Sequence, residues 1–214
     1  MISIFKSIFS KSNKEEATED VFDSVTAIRA KMERSMKDTQ TPTLSYPEGF
    51  DPKRPTLIIL DDNQGATMLF EDDIRYVQRE RKDIASGVQF LSITTSQAAF
   101  ILKAEIDSKH IQNVIGAVLD ITLGGYAIVD GHTITLDGID MYEMLHKRFS
   151  KAALRFFTSH TMNKKNAEIF KFMQKFFALT NKDIQEYTYM KNPFTDSRRD
   201  VLIDILTEYK NESN

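Results

Sequence analysis

Residues 113–125 read NVIGAVLDITLGG, an apolar run from Val114 to Leu119 that ends on a carboxylate, Asp120, and then meets a glycine pair. A short, almost wholly apolar run of this kind reads as a strand buried on both faces, as in parallel sheets. A lone buried carboxylate at its end costs several kcal/mol or protonates, so Asp120 needs water, a turn to cap, or a cation. A strand-end aspartate that caps the following turn is the ordinary case. The residues at the ends of the other strands therefore determine how Asp120 is read.

Working outward, strand-like and helix-like segments alternate. TLIIL (56–60), VQFLSI (88–93), VIGAVLD (114–120), ALRFFT (153–158) and EYTYMK (186–191) read as strands. Helices are expected at 64–82, with Phe70, Ile74 and Val77 turned inward, at 96–106, at 139–149, at about 164–179 and at 197–209. Five β/α units predict an α/β fold in which helices cover both faces of a five-stranded, doubly wound parallel sheet.

In such a sheet ligands bind at the carboxyl ends of the strands. The first strand ends in Asp61 and Asp62, the third in Asp120, the fourth in Thr158 and Ser159, and the fifth in Lys191. Three carboxylates on one edge repel unless a cation sits among them, and a dense set of hard oxygen ligands suits Mg²⁺. A lysine opposite can hold an anion as a point charge, and a short hydroxyl can donate to it. Together these residues describe a phosphoryl site.

The motifs LIILDD, AVLDITLGG, DGIDMYEML, FFTS and MKNPF, spread over about residues 55 to 210, resemble the receiver domain of two-component response regulators. That resemblance implies the flavodoxin-like strand order 2-1-3-4-5. It implies Asp120 as phosphoacceptor, with Asp61, Asp62, Asp120 and the carbonyl of Thr122 around Mg²⁺. Thr158 would contact the phosphoryl group and Lys191 would pair with it. The implied partners are a histidine kinase or phosphotransfer protein and a downstream protein, in the cytoplasm.

Three features depart from the family pattern. YAIVDGHTITL (126–136) intervenes before the DG helix, and its two β-prone runs around Asp130-Gly131 read as a type I′ hairpin. Asn192 separates Lys191 from Pro193, so a cis bond, if kept, joins Asn192 to Pro193 and the aromatic switch position falls on Thr188 or Tyr189. Ser159 stands where the family carries a small apolar residue, and His160 stands where it tunes dephosphorylation.

The rest of the 214-residue chain narrows the function further. With 28 basic and 31 acidic residues it has no basic field for nucleic acid, and with no cysteine it has neither disulfides nor thiolate metal ligands. No apolar run reaches the roughly 18 residues of a membrane span. Residues 1–53 are expected to form a helical extension and linker to a receiver-like domain at 54–214, and no output domain is expected after the last helix. In residues 1–12, Ile4, Phe5, Ile8 and Phe9 recur at helical spacing beside Lys6 and Lys11, a pattern for contact with a protein or a membrane surface. Val21, Val25, Ile28 and Met32 make a stripe that predicts a homodimer through this helix, and TQTPTLSYPEGFDPKRP (39–55) reads as linker. A degenerate receiver used as an assembly module is the alternative. A haloacid-dehalogenase-like phosphatase is disfavoured, since it wants a second aspartate at position 122 and its nucleophile on the first strand.

Overall fold

The structure, a computed structural model, describes residues 44, 46–94, 96–123, 126–129, 132–162, 165–192 and 196–213. The amphipathic residues 1–12, the Val21 to Met32 stripe, Asp130-Gly131 and Pro193 lie outside the described residues. Residues 42–127 with 133–214 make one compact unit; residues 1–41 with 128–132 make another, of which only 128, 129 and 132 are described.

Strands β1 (Thr56–Leu60), β2 (Gln89–Ile93), β3 (Val114–Leu119), β4 (Ala153–Thr158) and β5 (Thr188–Met190) form one sheet in the order β2-β1-β3-β4-β5. Every pairing is parallel. The connections are helices α1 (Gln64–Glu80), α2 (Ser96–Asp107), α3 (Gly138–Arg148) and α4 (Ala167–Thr180), and α5 (Ser197–Ser213) follows β5. This is the doubly wound, flavodoxin-like order 2-1-3-4-5. Tyr126–Val129 and His132–Thr135 form a separate two-stranded sheet after β3.

Two cores flank the sheet, because β1, β3 and β4 supply apolar side chains to both of their faces. On one side Leu102, Leu145, Phe172 and Phe176 from α2, α3 and α4 pack with Ile58, Leu119 and Phe156. On the other, Phe70, Ile74 and Val77 of α1 and Val201, Leu202, Ile205 and Leu206 of α5 pack with Leu57, Ile59, Val118 and Phe157. A register shift between Thr56 and Leu57 leaves an extra residue in β3, so Val114 and Ala117 face the first core while Ile115 and Val118 face the second. The many phenylalanines of α4 have a use here: Phe172 and Phe176, one turn apart, meet the Phe156 ring edge-on at 5.1 and 5.8 Å.

Two segments differ from the sequence-based expectation. The first two residues of EYTYMK end a 3₁₀ turn, Ile184–Tyr187, capped by Asp183, and only Thr188–Met190 is strand. As the last strand of the sheet, β5 pairs with β4 alone, over three rungs, so nothing draws the preceding residues into the ladder. The proline-rich linker is strapped to the domain in its second half. Leu44, Tyr46 and Phe50 pack on the first core, Tyr46 donates to Glu105 (3.1 Å), and the Gln89 amide donates to the Asp51 carbonyl (2.7 Å). Prolines break helix there, but the aromatic residues between them still gain by leaving water.

Gly116 marks where α5 presses on β3. A Cβ there would lie 2.3 Å from Ile205 Cγ2 and 2.8 Å from the Ala153 carbonyl oxygen. Since that carbonyl belongs to the β4 ladder, it cannot yield cheaply. Gly116→Ala is expected to lower unfolding stability by about 1–3 kcal/mol, read as a lower urea midpoint at an unchanged m-value.

Candidate functional site

Backbone hydrogen bonds one residue past the strands fix where the polar side chains stand. The Asp61 amide donates to the Ile93 carbonyl (3.0 Å), the Asp120 amide to that of Leu60 (2.8 Å), and the Lys191 amide to that of Thr158 (2.7 Å). Each is an added ladder rung onto a neighbouring strand, so the sheet register holds these residues at one edge.

The side chains meet there. Asp61, Asp62 and Asp120 each offer a carboxylate oxygen within 4.8 Å of the others. Asp61 and Asp120 are 2% and 7% exposed, which makes their charge costly without a counter-charge. Lys191 supplies one: its Nζ lies 2.8 Å from Asp61 Oδ2 and 2.7 Å from Asp120 Oδ2. Burial pushes the Asp120 carboxyl up from its ordinary value, against the hydrogen bond and charge of Lys191. For Lys191 burial pulls downward, and the hydrogen bonds and charges of Asp120 and Asp61 outweigh it, holding the ammonium above its ordinary value. An all-oxygen set of three clustered carboxylates, two of them already sharing one cationic group, fits a small hard divalent cation such as Mg²⁺.

Thr158, fully buried at the end of β4, joins the group through its carbonyl contact with Lys191, and its Oγ1 accepts from the His160 amide at 3.1 Å. Thr122 is exposed, and its Oγ1 lies 3.1 Å from His160 Nε2. Asp61, Asp62, Asp120 and Lys191 are thus brought together, Thr158 adjoins them through the backbone, and the Thr122 side chain belongs to a second contact. Neither alignment for a switch residue finds a free aromatic ring. Thr188 donates to the Ile184 carbonyl (2.8 Å), and burial together with Asp204 pushes the Tyr189 phenol up to about 12.

Two supports of the site carried little signal in the sequence. The first is the room left by Gly138, the first residue of α3: a Cβ there would lie 2.1 Å from the Asp120 carbonyl oxygen. The Gly138 amide donates to the Ile121 carbonyl at 3.0 Å, so α3 begins against the backbone of Asp120. The DG pair was the available sign. The second is Arg155, buried in β4, which donates to Asp204 (2.7 Å) and to Glu208 of α5. Its acidic partners, four residues apart on one helix face, were the signal.

The fold and this edge together define a receiver-like α/β domain with an acidic cluster facing a lysine. Among solved structures the chain is similar to a response regulator receiver domain from Methanospirillum hungatei, at 19% identity over 74% of this chain and 98% of that one, with a TM-score of 0.44. A two-component response regulator from Cytophaga hutchinsonii matches at 15% identity over the same shares, TM-score 0.44. The receiver domain of a Francisella response regulator matches at 15% identity, again over 74% and 98%, TM-score 0.43. These are likenesses of fold alone. No family model and no curated protein matches the chain. Among the described residues no helix is long and apolar enough to cross a membrane.

The start of α3 yields a pH test. The Asp137 carboxyl caps the helix, accepting from the Asp140 amide (2.9 Å), while its own amide donates to Asp140 Oδ2 (3.1 Å). Burial, and then the charge of Asp140, push Asp137 up to about 6 from its ordinary 3.8. The folded chain therefore holds this proton more tightly than the unfolded chain, and its contribution to stability is lost as pH rises from about 4 through about 6. Asn caps equally well without titrating. The stability of Asp137→Asn relative to wild type is expected to rise between pH 4.5 and pH 7 in urea melts; an equal difference at both pH values would count against this.

Proposed function

We propose that this domain accepts a phosphoryl group on Asp120 and transmits that state by contact with a protein partner. The observation that carries the reading is the Asp61, Asp62, Asp120 and Lys191 constellation, a buried carboxylate held beside two others and an ammonium at the edge where strands end. A merely structural ion pair has no need of three crowded carboxylates.

In this reading a carboxylate oxygen of Asp120 attacks the phosphorus of a phosphohistidine on a histidine kinase or phosphotransfer protein. The new O–P bond forms as the donor's N–P bond breaks, and the departing imidazole keeps the electron pair and takes a proton from solvent. Asp120 then carries an acyl phosphate. Asp61, Asp62, Asp120 and the Thr122 carbonyl are the groups that would hold Mg²⁺, which when bound offsets the repulsion between the carboxylates and the incoming phosphoryl oxygens. Lys191 exchanges one carboxylate partner for a phosphoryl oxygen, and the Thr158 hydroxyl turns to donate to another. The downstream partner would recognise the surface that these two residues move.

Two experiments test this. Incubation of the full chain with Mg²⁺ and acetyl phosphate, followed by intact mass measurement, is expected to give a single phosphoryl adduct that Asp120→Asn abolishes. No adduct, or one retained by the variant, overturns the assignment. Calorimetric titration with Mg²⁺ alone is expected to show binding weakened by about tenfold or more in Asp62→Ala, the size of loss typical for perturbed metal sites. Lys191→Met, which removes the competing ammonium, is expected to bind Mg²⁺ more tightly than wild type. Equal affinities in all three proteins would remove the metal from this site.

A further inference from the structure

We propose that Lys175, on α4, is a positioning residue for Asp120 that acts through the first turn of α3; the inference rests on reading Asp120 as the phosphoacceptor. The route is a chain of contacts. Lys175 Nζ donates to Asp140 Oδ1 at 2.5 Å, while Asp140 Oδ2 accepts from the Asp137 amide at 3.1 Å. The Asp137 carboxyl in turn accepts from the Asp140 amide, closing a reciprocal cap on α3. Gly138 follows at once, with no room between its Cα and the Asp120 carbonyl, and its amide holds the Ile121 carbonyl.

Each link has a physical reason to be stiff. Asp140 uses both of its oxygens, one for the cap and one for Lys175, so losing the ammonium frees a carboxylate that sits beside the half-buried Asp137 carboxyl. Two adjacent carboxyls without a cation repel, and the cap loosens. Close-packed contacts transmit displacement rather than absorb it, so a shift of Gly138 becomes a shift of the Asp120 backbone. The pair is partly exposed, 45% and 36% on its two side chains. Its effect is therefore a tuning of position, not a requirement for folding. This route from the acceptor to α4 is separate from the one through Thr158 and Lys191, which runs along the sheet edge.

The test uses the full chain. Amide hydrogen exchange is measured without phosphodonor or Mg²⁺, and phosphoryl uptake from acetyl phosphate is timed separately. Lys175→Met is expected to speed exchange at the Gly138 amide and to slow uptake, each by about two- to fivefold, the size that a partly exposed ion pair supports. Exchange in α5 should stay at its wild-type value, and Lys175→Arg should restore both quantities. Wild-type exchange at Gly138 in Lys175→Met overturns the proposal, as does an equal rise throughout α5, which signals general loosening, or a failure of Lys175→Arg to rescue. Absence of uptake by the wild type overturns the phosphoacceptor reading, whereas the exchange arm, needing no phosphodonor, judges the Lys175 route independently.

Discussion

Three carboxylates share one sheet edge, and the ammonium of Lys191 spans the two most buried of them, 2.8 Å from Asp61 and 2.7 Å from Asp120. Removing one partner of such a buried pair typically costs about 3–5 kcal/mol, because the survivor is left charged and dry. The strand order is what makes the pairing available. With β1 next to β3, and β5 reached across β4, the Asp61, Asp120 and Lys191 amides each add one rung to a neighbouring strand. A slip of one residue in any of these registers would turn a carboxylate or the lysine to the opposite face. The apolar cores thus hold the sheet in register, and the register holds the charges.

The helices support this edge in two different ways. On the α5 side polar contacts reinforce packing: Arg155 of β4 is held by Asp204 and Glu208, and the buried Asp73 of α1 accepts from Arg198 and Arg199 at 2.7 Å each. These pairs tie β4, α1 and the start of α5 into one body. On the other side the contacts are mainly apolar and aromatic, with Phe156 at their centre and the partly exposed Lys175–Asp140 pair between α3 and α4.

What could be read from the sequence follows from the same division. Local pattern located the main-sheet strands and helices to within a few residues, because an unbroken apolar run reports a strand buried on both faces, and one residue in three to four reports the buried face of a helix, without reference to neighbouring segments. Asp61, Asp62, Asp120 and Lys191 were legible because position at a strand end is also a local property. The cramped placement of Gly138 against Asp120 was not, since it depends on how closely two distant segments approach. Arg155 looks like a flaw in an apolar strand until α5 brings Asp204 and Glu208 over it. The strap formed by Tyr46 and Phe50 was hidden for a related reason: prolines report only what the backbone cannot do.

The asymmetry between the faces bears on how a change at Asp120 would travel. Lys191 lies a few residues before α5, and the first turn of α5 is pinned to α1 through Arg198 and Arg199. A lysine drawn toward a phosphoryl group would therefore pull against a helix that ion pairs hold in place, each costly to break because the Asp73 carboxylate is buried. Helix α4 resists less. It is held by Ile169, Phe172 and Phe176, leaves Phe177 exposed, and is joined to α3 by the partly exposed Lys175–Asp140 pair. Holding an apolar side chain about 30° off its rotamer costs about 0.5–1.5 kcal/mol, less than the loss of a buried ion pair. Under the phosphoacceptor reading proposed above, the displacement would therefore fall on α4, the helix that carries the exposed Phe177.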